Sequence, residues 1–219
     1  FTVRYTLLEG GILSVESDFK GVKSSKPVDV PRIGFRMRLP ASADSFTYLG
    51  RGPEENYADR FGGTLIGEYS SSASKEYVRY VRPQECGHHI DCEYLSIGGL
   101  AIRSDRFEFN ALMCAVEDLD SEEAVQRDYQ WENKGPLTEN DPAKAKNRLR
   151  RQTHINDYVE RDFVEVCVDY AQSGVGGYDS WAARPDGDRC LWSDRDYSFR
   201  FAIVPARAMG VRKSLGFDF

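Results

Sequence analysis

Apolar and polar residues alternate along many short stretches of this sequence. In RIGFRMRL, residues 32–39, four apolar side chains alternate with Gly34 and three arginines. The same period of two recurs at 106–112, 163–170 and 197–204. Because successive side chains of a β-strand point to opposite faces of the sheet, this pattern separates apolar from polar groups. It predicts strands with one buried and one solvent-facing side.

Further stretches of the same kind follow one another at turn-length intervals, at 3–8, 12–16, 45–49, 64–69, 77–82, 90–97 and 99–103. Many short strands separated by turn residues are typical of an antiparallel sandwich or barrel. Helix signals are few: we predict one short helix over 120–128 and a long surface loop over 135–151. The sequence therefore predicts an all-β fold, with one domain over 1–207 and a C-terminal extension over 208–219.

The composition supports a folded domain and excludes some functions. Of the 219 residues, 41% are hydrophobic, which is enough for a substantial core, and the net charge of −6 argues against nucleic-acid binding. No apolar run approaches the roughly 20 residues of a membrane-spanning helix. The opening FTVRYTLLEGG lacks Met and already alternates, so we expect a fragment of a longer protein. That start leaves the compartment open between cytoplasm and periplasm.

The cysteines and histidines form no recognisable metal or disulfide pattern. Five cysteines without a CxxC pair favour reduced thiols over a disulfide framework or a zinc ribbon. The stretch CGHHIDC contains residue types that zinc accepts, namely Cys86, His88, His89, Asp91 and Cys92. In a strand, residues 89 and 91 point away from residues 90 and 92, so these side chains do not converge. We predict no metal site here.

A second polar stretch, GRGPEENYADR at residues 50–60, combines a glycine–proline turn with charged groups around Tyr57. These polar residues are Glu54, Glu55, Asn56, Asp59 and Arg60. One interpretation is a pocket for a hydroxyl-rich ligand. The other is a loop held by Arg60, which would bind a neighbouring carboxylate bidentately. We favour the second.

The stretch GVGGYDSW, residues 174–181, places three glycines shortly before Trp181. Glycines let the backbone bend sharply, and an indole face suits the C–H-lined face of a pyranose ring. Asp179 and Ser180 are candidates for fixing the loop or for secondary polar contacts. The alternative is a tryptophan folded back onto the edge of the sandwich, and composition does not decide between the two.

Several of these stretches together resemble the C-terminal, small-chain domain of glycoside hydrolase family 2 β-galactosidases. The matching segments are LPASADSFTYLGRGPEENYADR, YVRPQECGHH, THINDYVERDFVEVCVDYAQSGVGGYDSW and DRDYSFRFAIVP. The resemblance implies an antiparallel supersandwich like that of galactose mutarotase. It also implies that Trp181 reaches the mouth of an active site built mainly by a barrel domain, where it forms an apolar platform for the sugar.

The same resemblance implies which parts are missing. The two catalytic glutamates belong to the barrel, one of them in an Asn–Glu pair, and this sequence contains no such pair. We therefore predict no catalytic residue and no cofactor in this chain, with the Mg and Na sites of the family in the barrel.

The implied partners are the other domains, on the same polypeptide or on a separate large chain, and a galactoside or acceptor sugar. A homo-oligomer of the full enzyme is a further expectation. The alternatives are a stand-alone carbohydrate-binding module and, on fold analogy alone, an aldose mutarotase. Mutarotation needs a general acid and a general base facing one sugar ring, and the candidate histidines His88, His89 and His154 lie in no matching motif.

Overall fold

Antiparallel strands dominate the described part of the chain, which comprises residues 1–81, 84–119, 158–179, 181 and 183–206 of a computed structural model. Within these residues the strands are β1 (Thr2–Leu7), β2 (Leu13–Phe19), β3 (Arg32–Pro40), β4 (Ser45–Gly52), β5 (Leu65–Ser72), β6 (His88–Ile97), β7 (Leu100–Leu112), β8 (Phe163–Gln172) and β9 (Tyr197–Pro205). Only short 3-10 turns accompany the strands in this part of the chain. The predicted helix over 120–128, the predicted loop over 135–151, His154 and the extension over 208–219 lie outside the described residues.

The predicted strands are confirmed except one. The stretches 99–103 and 106–112 belong to a single strand, β7. The prediction of a strand over 77–82 was wrong, because residues 77–81 form none. This segment instead packs beside the sheet, where the Tyr77 ring stacks on Tyr158 with centroids 3.7 Å apart.

The strands form one hydrogen-bonded sheet that branches at β7. The sheet has the order β1-β2-β9-β7-β6-β4-β5, and β8 pairs with both β7 and β3. Residues 100–103 of β7 pair with β9, whereas residues 108–112 pair with β8. Strand β6 pairs along the other edge of β7. One long strand therefore carries two branches on the same side.

The two branches pack face to face. The rings of Phe35 in β3 and Phe201 in β9 have centroids 5.2 Å apart, and Tyr170 in β8 lies 6.3 Å from Phe199 in β9. The three phenylalanines pack with residues of β4 and β7 in one apolar core. This packing is that of an antiparallel β-sandwich, so the predicted all-β antiparallel class is confirmed. The finer likeness to galactose mutarotase stays a prediction.

Strands β7 and β8 are buried on both faces, which the alternating pattern did not predict. Residues 107–112 and 164–169 are all buried. The face away from the core carries polar side chains, among them Glu108, Asn110, Glu165 and Asp169. Segments remote in sequence cover this face, as Tyr77, Cys86 and Cys114 pack with Leu112. The expected solvent-facing side was therefore wrong for these two strands.

Candidate functional site: the Trp181 loop and its supports

The loop after β8, residues 173–181, is bent sharply against the segment over 183–189. The Gly177 N–H donates to the Ala183 carbonyl at 2.8 Å. Gly176 has a φ of 64°, and a Cβ atom there would lie 2.4 Å from the Ala183 oxygen. Only glycine combines this backbone conformation with such a close approach.

Trp181 projects into solvent from this loop, with 89% of its surface exposed. Its backbone N–H donates to Asp179 Oδ1 at 2.8 Å, and the same oxygen accepts the Ala183 N–H at 3.2 Å. The neighbouring Tyr178 is also exposed. A tryptophan folded back onto the sandwich edge is therefore not what the structure shows. Ser180 lies outside the described residues.

The polar stretch over 50–60 contacts the Trp181 loop directly. Arg60 Nη2 donates to the Gly176 carbonyl at 3.1 Å, and the Asp59 carboxylate accepts three hydrogen bonds from the loop. Among the described residues, Arg60 does not form the bidentate carboxylate pair that we expected. The neighbouring carboxylate of Asp59 already binds loop donors, and the guanidinium binds a backbone carbonyl instead.

Glu55 and Asn56 support the turn from within. Glu55 accepts the Gly87 N–H at 2.8 Å and also the hydroxyls of Tyr57 and Tyr80. Asn56 is fully buried, and its Oδ1 accepts the Ile90 N–H at 2.9 Å. Its amide group donates to two backbone carbonyls of its own turn. The side chain of Asn56 therefore ties this turn to β6 and does not face a ligand.

The two adjacent histidines are both fully buried at the start of β6. A β-bulge breaks the alternation here, since the pairing register shifts between His89 and Cys92 and Asp91 has a φ of 57°. The strict alternation assumed for residues 89–92 was therefore wrong. His89 Nε2 lies 2.9 Å from Glu76 Oε2, and its Nδ1 lies 3.1 Å from the Tyr48 hydroxyl.

His88 forms the other buried pair, with its Nε2 3.0 Å from Glu108 Oε2. Burial, together with the positive charge of Arg32, lowers the pKa of His88 to about 3. Burial raises the pKa of Glu108 to about 7, although the Gln172 backbone N–H that it accepts acts in the opposite direction. Both side chains are thus uncharged over a wide range of acidic pH.

Arg32 completes this polar network behind the sheet. Its Nε lies 3.0 Å from Asp169 Oδ2, an ion pair whose angle does not make a hydrogen bond, and its Nη2 donates to Gln172 Oε1 at 2.8 Å. Burial would lower the pKa of Arg32, but the charges of Asp169 and Glu85 raise it above the ordinary value. Since His88 and His89 are both fully buried, neither can act on a sugar as the mutarotase alternative requires.

Metal binding, membrane spanning and disulfide bonding are the other features on which the described residues bear. No group of three His, Cys, Asp or Glu side chains in this part of the chain is placed to hold a metal ion. No helix within it is long and apolar enough to cross a membrane. All five cysteines are unpaired, and the four other than Cys190 are buried.

Comparison with known proteins decides the family. The profile described as "Beta galactosidase small chain" matches residues 1–203. The chain belongs to the β-galactosidase small-chain family. Curated relatives named beta-galactosidase include that of Priestia megaterium, 29% identical over 93% of this chain, and that of Actinobacillus pleuropneumoniae, 26% identical over 92%. The beta-galactosidase of Alteromonas mediterranea is 30% identical over 81% of the chain.

The small-chain domain is only part of such proteins. This chain spans 17% of the length of the Priestia and Actinobacillus relatives and 14% of the Alteromonas relative.

The role of Asp59 was not predictable from local spacing, because Gly176, whose N–H it accepts, lies 117 residues away in sequence.

Proposed function

We propose that this chain is one domain of a larger β-galactosidase and that it contributes Trp181 to the sugar-binding part of the active site. The observation that carries the proposal is that Trp181 is 89% exposed on a loop whose backbone is held by Asp59 and Asp179. Burying an exposed indole against a sugar ring removes apolar surface from water. The small-chain family and the names of its relatives supply the context of a galactosidase.

The chemistry of bond cleavage belongs to the rest of the enzyme. A retaining glycosidase needs two carboxyl groups about 5–5.5 Å apart, one as nucleophile and one as acid and base. The carboxylates near Trp181 serve other purposes: Asp59 and Asp179 accept backbone N–H groups of the loop. We therefore assign the catalytic glutamates, and the Mg and Na sites, to parts of the protein outside this chain.

The role that we assign to Trp181 is a platform on the side of the leaving group or acceptor. The flat, apolar indole tolerates different acceptor sugars, because stacking uses C–H groups that many pyranoses share. Directional hydrogen bonds from other parts of the enzyme would select the galactosyl unit. Loss of the ring should therefore weaken acceptor binding more than it slows cleavage of an activated galactoside.

The experiment uses the complete enzyme that contains this domain. In the Trp181→Ala variant, we expect inhibition by glucose and transfer to glucose to weaken roughly fivefold, as an aromatic contact of about 1 kcal/mol implies. Trp181→Phe should retain part of the binding, because a smaller apolar face remains. Tyr5→Ala removes another exposed aromatic ring, from the edge strand β1, and serves as the control.

Unchanged inhibition by glucose in Trp181→Ala would refute the proposal. Calorimetry on the isolated chain tests the alternative of an independent binding module. We expect no measurable binding of galactose or lactose and no hydrolysis by the isolated chain. Sugar binding by the isolated chain that is lost in Trp181→Ala would favour the module instead.

A further inference from the structure

Asp59 links the Trp181 loop to the turn between β4 and β5. Its Oδ1 accepts the Val175 N–H at 3.0 Å, and its Oδ2 accepts the Gly176 N–H and the Tyr178 hydroxyl, each at 2.8 Å. On the other side of the same backbone, Arg60 donates to the Gly176 carbonyl at 3.1 Å across 116 residues of sequence. The adjacent side chains of Asp59 and Arg60 thus bind both the N–H groups and a carbonyl of the same short loop.

The turn that carries Asp59 is itself fixed in the interior. Tyr57 and Arg60 exchange two backbone hydrogen bonds, each of 2.9 Å, so Asp59 lies within a closed two-bond turn. Tyr57 is 2% exposed, and its ring stacks on the buried His88 with centroids 5.4 Å apart. The turn that carries Asp59 is therefore anchored to the core independently of the loop that Asp59 binds.

Gly174 lets this carboxylate lie directly against the loop backbone. A Cβ atom at Gly174 would lie 2.6 Å from both Cγ and Oδ2 of Asp59, closer than real contacts allow. The absence of a side chain at residue 174 therefore provides the space that the Asp59 carboxylate occupies.

The charge of Asp59 suits the three donors that surround it. Partial burial would raise the pKa of Asp59, but the N–H groups of Gly176 and Val175 and the Tyr178 hydroxyl lower it below the ordinary value. Hydrogen bonds to an ionised acceptor are stronger than those between neutral groups. The carboxylate is ionised at neutral pH and binds the loop in that form.

We infer that Asp59 is a positioning residue for Trp181. Asp59 holds residues 175–178, the adjacent Asp179 fixes the backbone N–H of Trp181, and the indole is thereby presented to the acceptor sugar. The inference rests on the proposed function of Trp181. It adds a residue that contacts no substrate and acts through the loop alone.

The test combines substitutions in the complete enzyme. We expect Asp59→Ala to weaken inhibition by glucose about threefold to fivefold, with little change in kcat for an activated galactoside, because only the indole loses its position. In the Trp181→Ala background, Asp59→Ala should add no further loss, since the ring through which it acts is absent. Asp59→Asn keeps one acceptor oxygen, so its inhibition by glucose should lie between that of Asp59→Ala and that of the unmodified enzyme.

Asp44 provides a matched control at the opposite end of β4. Its carboxylate also joins two separate segments, accepting the Ser74 N–H at 2.8 Å and the Ser74 hydroxyl at 2.9 Å. Asp44→Ala should leave glucose inhibition unchanged. A loss of equal size in Asp44→Ala and Asp59→Ala would show a general effect of weakened loops and overturn the inference.

Two further outcomes separate this inference from the proposed function. If Trp181→Ala weakens glucose inhibition but Asp59→Ala does not, the inference fails and the proposed function stands. If Trp181→Ala has no effect, the proposed function fails. Amide hydrogen exchange then still tests the anchoring: faster exchange at Val175 and Gly176 in Asp59→Ala supports it, and unchanged exchange overturns it.

Discussion

The network behind β6–β8 and the Trp181 loop place their side chains in opposite ways. In the network, Asp169 is buried and Arg32 is largely buried, and the two form an ion pair with Arg32 Nε 3.0 Å from Asp169 Oδ2. In the loop, a large apolar ring is left 89% exposed while small polar groups hold the backbone beneath it. In the first arrangement each buried charge depends on its partner, so removing one partner is costly. The second leaves a large apolar surface in contact with solvent and contributes little to stability.

The largest expected effect is the loss of the buried ion pair. Asp169→Ala leaves Arg32 without its nearest counter-charge in a buried site, and we expect the free energy of unfolding to fall by about 3 kcal/mol or more. Chemical denaturation of the domain measures this change. Glu16→Ala, which removes an exposed cross-strand partner of Arg4, should cost less than about 1 kcal/mol. Similar losses in the two variants would contradict the contrast between network and surface.

The His88–Glu108 pair predicts an unusual pH dependence of stability. The folded pKa of His88, about 3, is below its ordinary 6.5, so this group alone makes stability fall as pH drops below 6.5. The folded pKa of Glu108, about 7, is above its ordinary 4.5, so this group alone makes stability fall as pH rises from 4.5 to 7. Between pH 4.5 and 6.5, folded and unfolded states each hold one proton on the pair, and the two effects cancel.

Glu108→Gln removes the titration of Glu108, which opposes that of His88, and keeps a hydrogen-bonding group beside His88. In this variant only His88 titrates, so the free energy of unfolding should fall by about 1.4 kcal/mol per pH unit relative to the unmodified domain as pH drops below about 6. Denaturation midpoints measured from pH 7 to pH 4.5 give the difference. Parallel pH profiles for the two proteins would show that His88 and Glu108 do not hold the protonation states described here.

A smaller effect is expected where the Trp181 loop bends. Gly176 and Gly177 both have positive φ, of 64° and 74°, but only a Cβ at Gly176 meets an obstacle, the Ala183 carbonyl at 2.4 Å. Gly177→Ala should therefore lower the free energy of unfolding by about 1 kcal/mol, because alanine disfavours a positive φ. Gly176→Ala should lower it further, because its Cβ would also meet the Ala183 carbonyl. Local hydrogen exchange at the Gly177 amide reports this difference. Equal losses in the two variants would mean that Gly176 does not lie against the Ala183 carbonyl as the structure describes.

The smallest expected change in stability is that of Trp181→Ala. A side chain that is 89% exposed contributes little, so the free energy of unfolding of the domain should change by less than about 0.5 kcal/mol. The same denaturation experiment measures it. A decrease of 2 kcal/mol or more in the free energy of unfolding would show that Trp181 packs within the domain, and would contradict the contrast with the network.

The strands could be predicted from the sequence wherever one face is apolar and the other polar. Phe35, Met37 and Leu39 of β3 show this directly, because they pack on the core while Arg36 and Arg38 face outward. The pattern fails in β7 and β8, where segments far along the chain cover a polar face. No local period contains that information.

The candidate site was predictable in part. The glycine-rich stretch left open whether Trp181 is exposed or folded back, the family resemblance implied that it reaches outward, and the ring is 89% exposed. Asn56 and His88 have residue types common in binding sites, and only their burial shows that they support the structure. The role of Asp59 depends on a contact across more than a hundred residues, which a single sequence does not reveal.

The most direct test of the account is a structure of the complete enzyme with an acceptor sugar bound. We predict that the Trp181 ring lies flat against the sugar, with carbon atoms of the two within about 4 Å, while Asp59 still holds the loop from behind. A bound sugar with no contact to Trp181, or an indole buried in an interface away from the active site, would contradict the central claim.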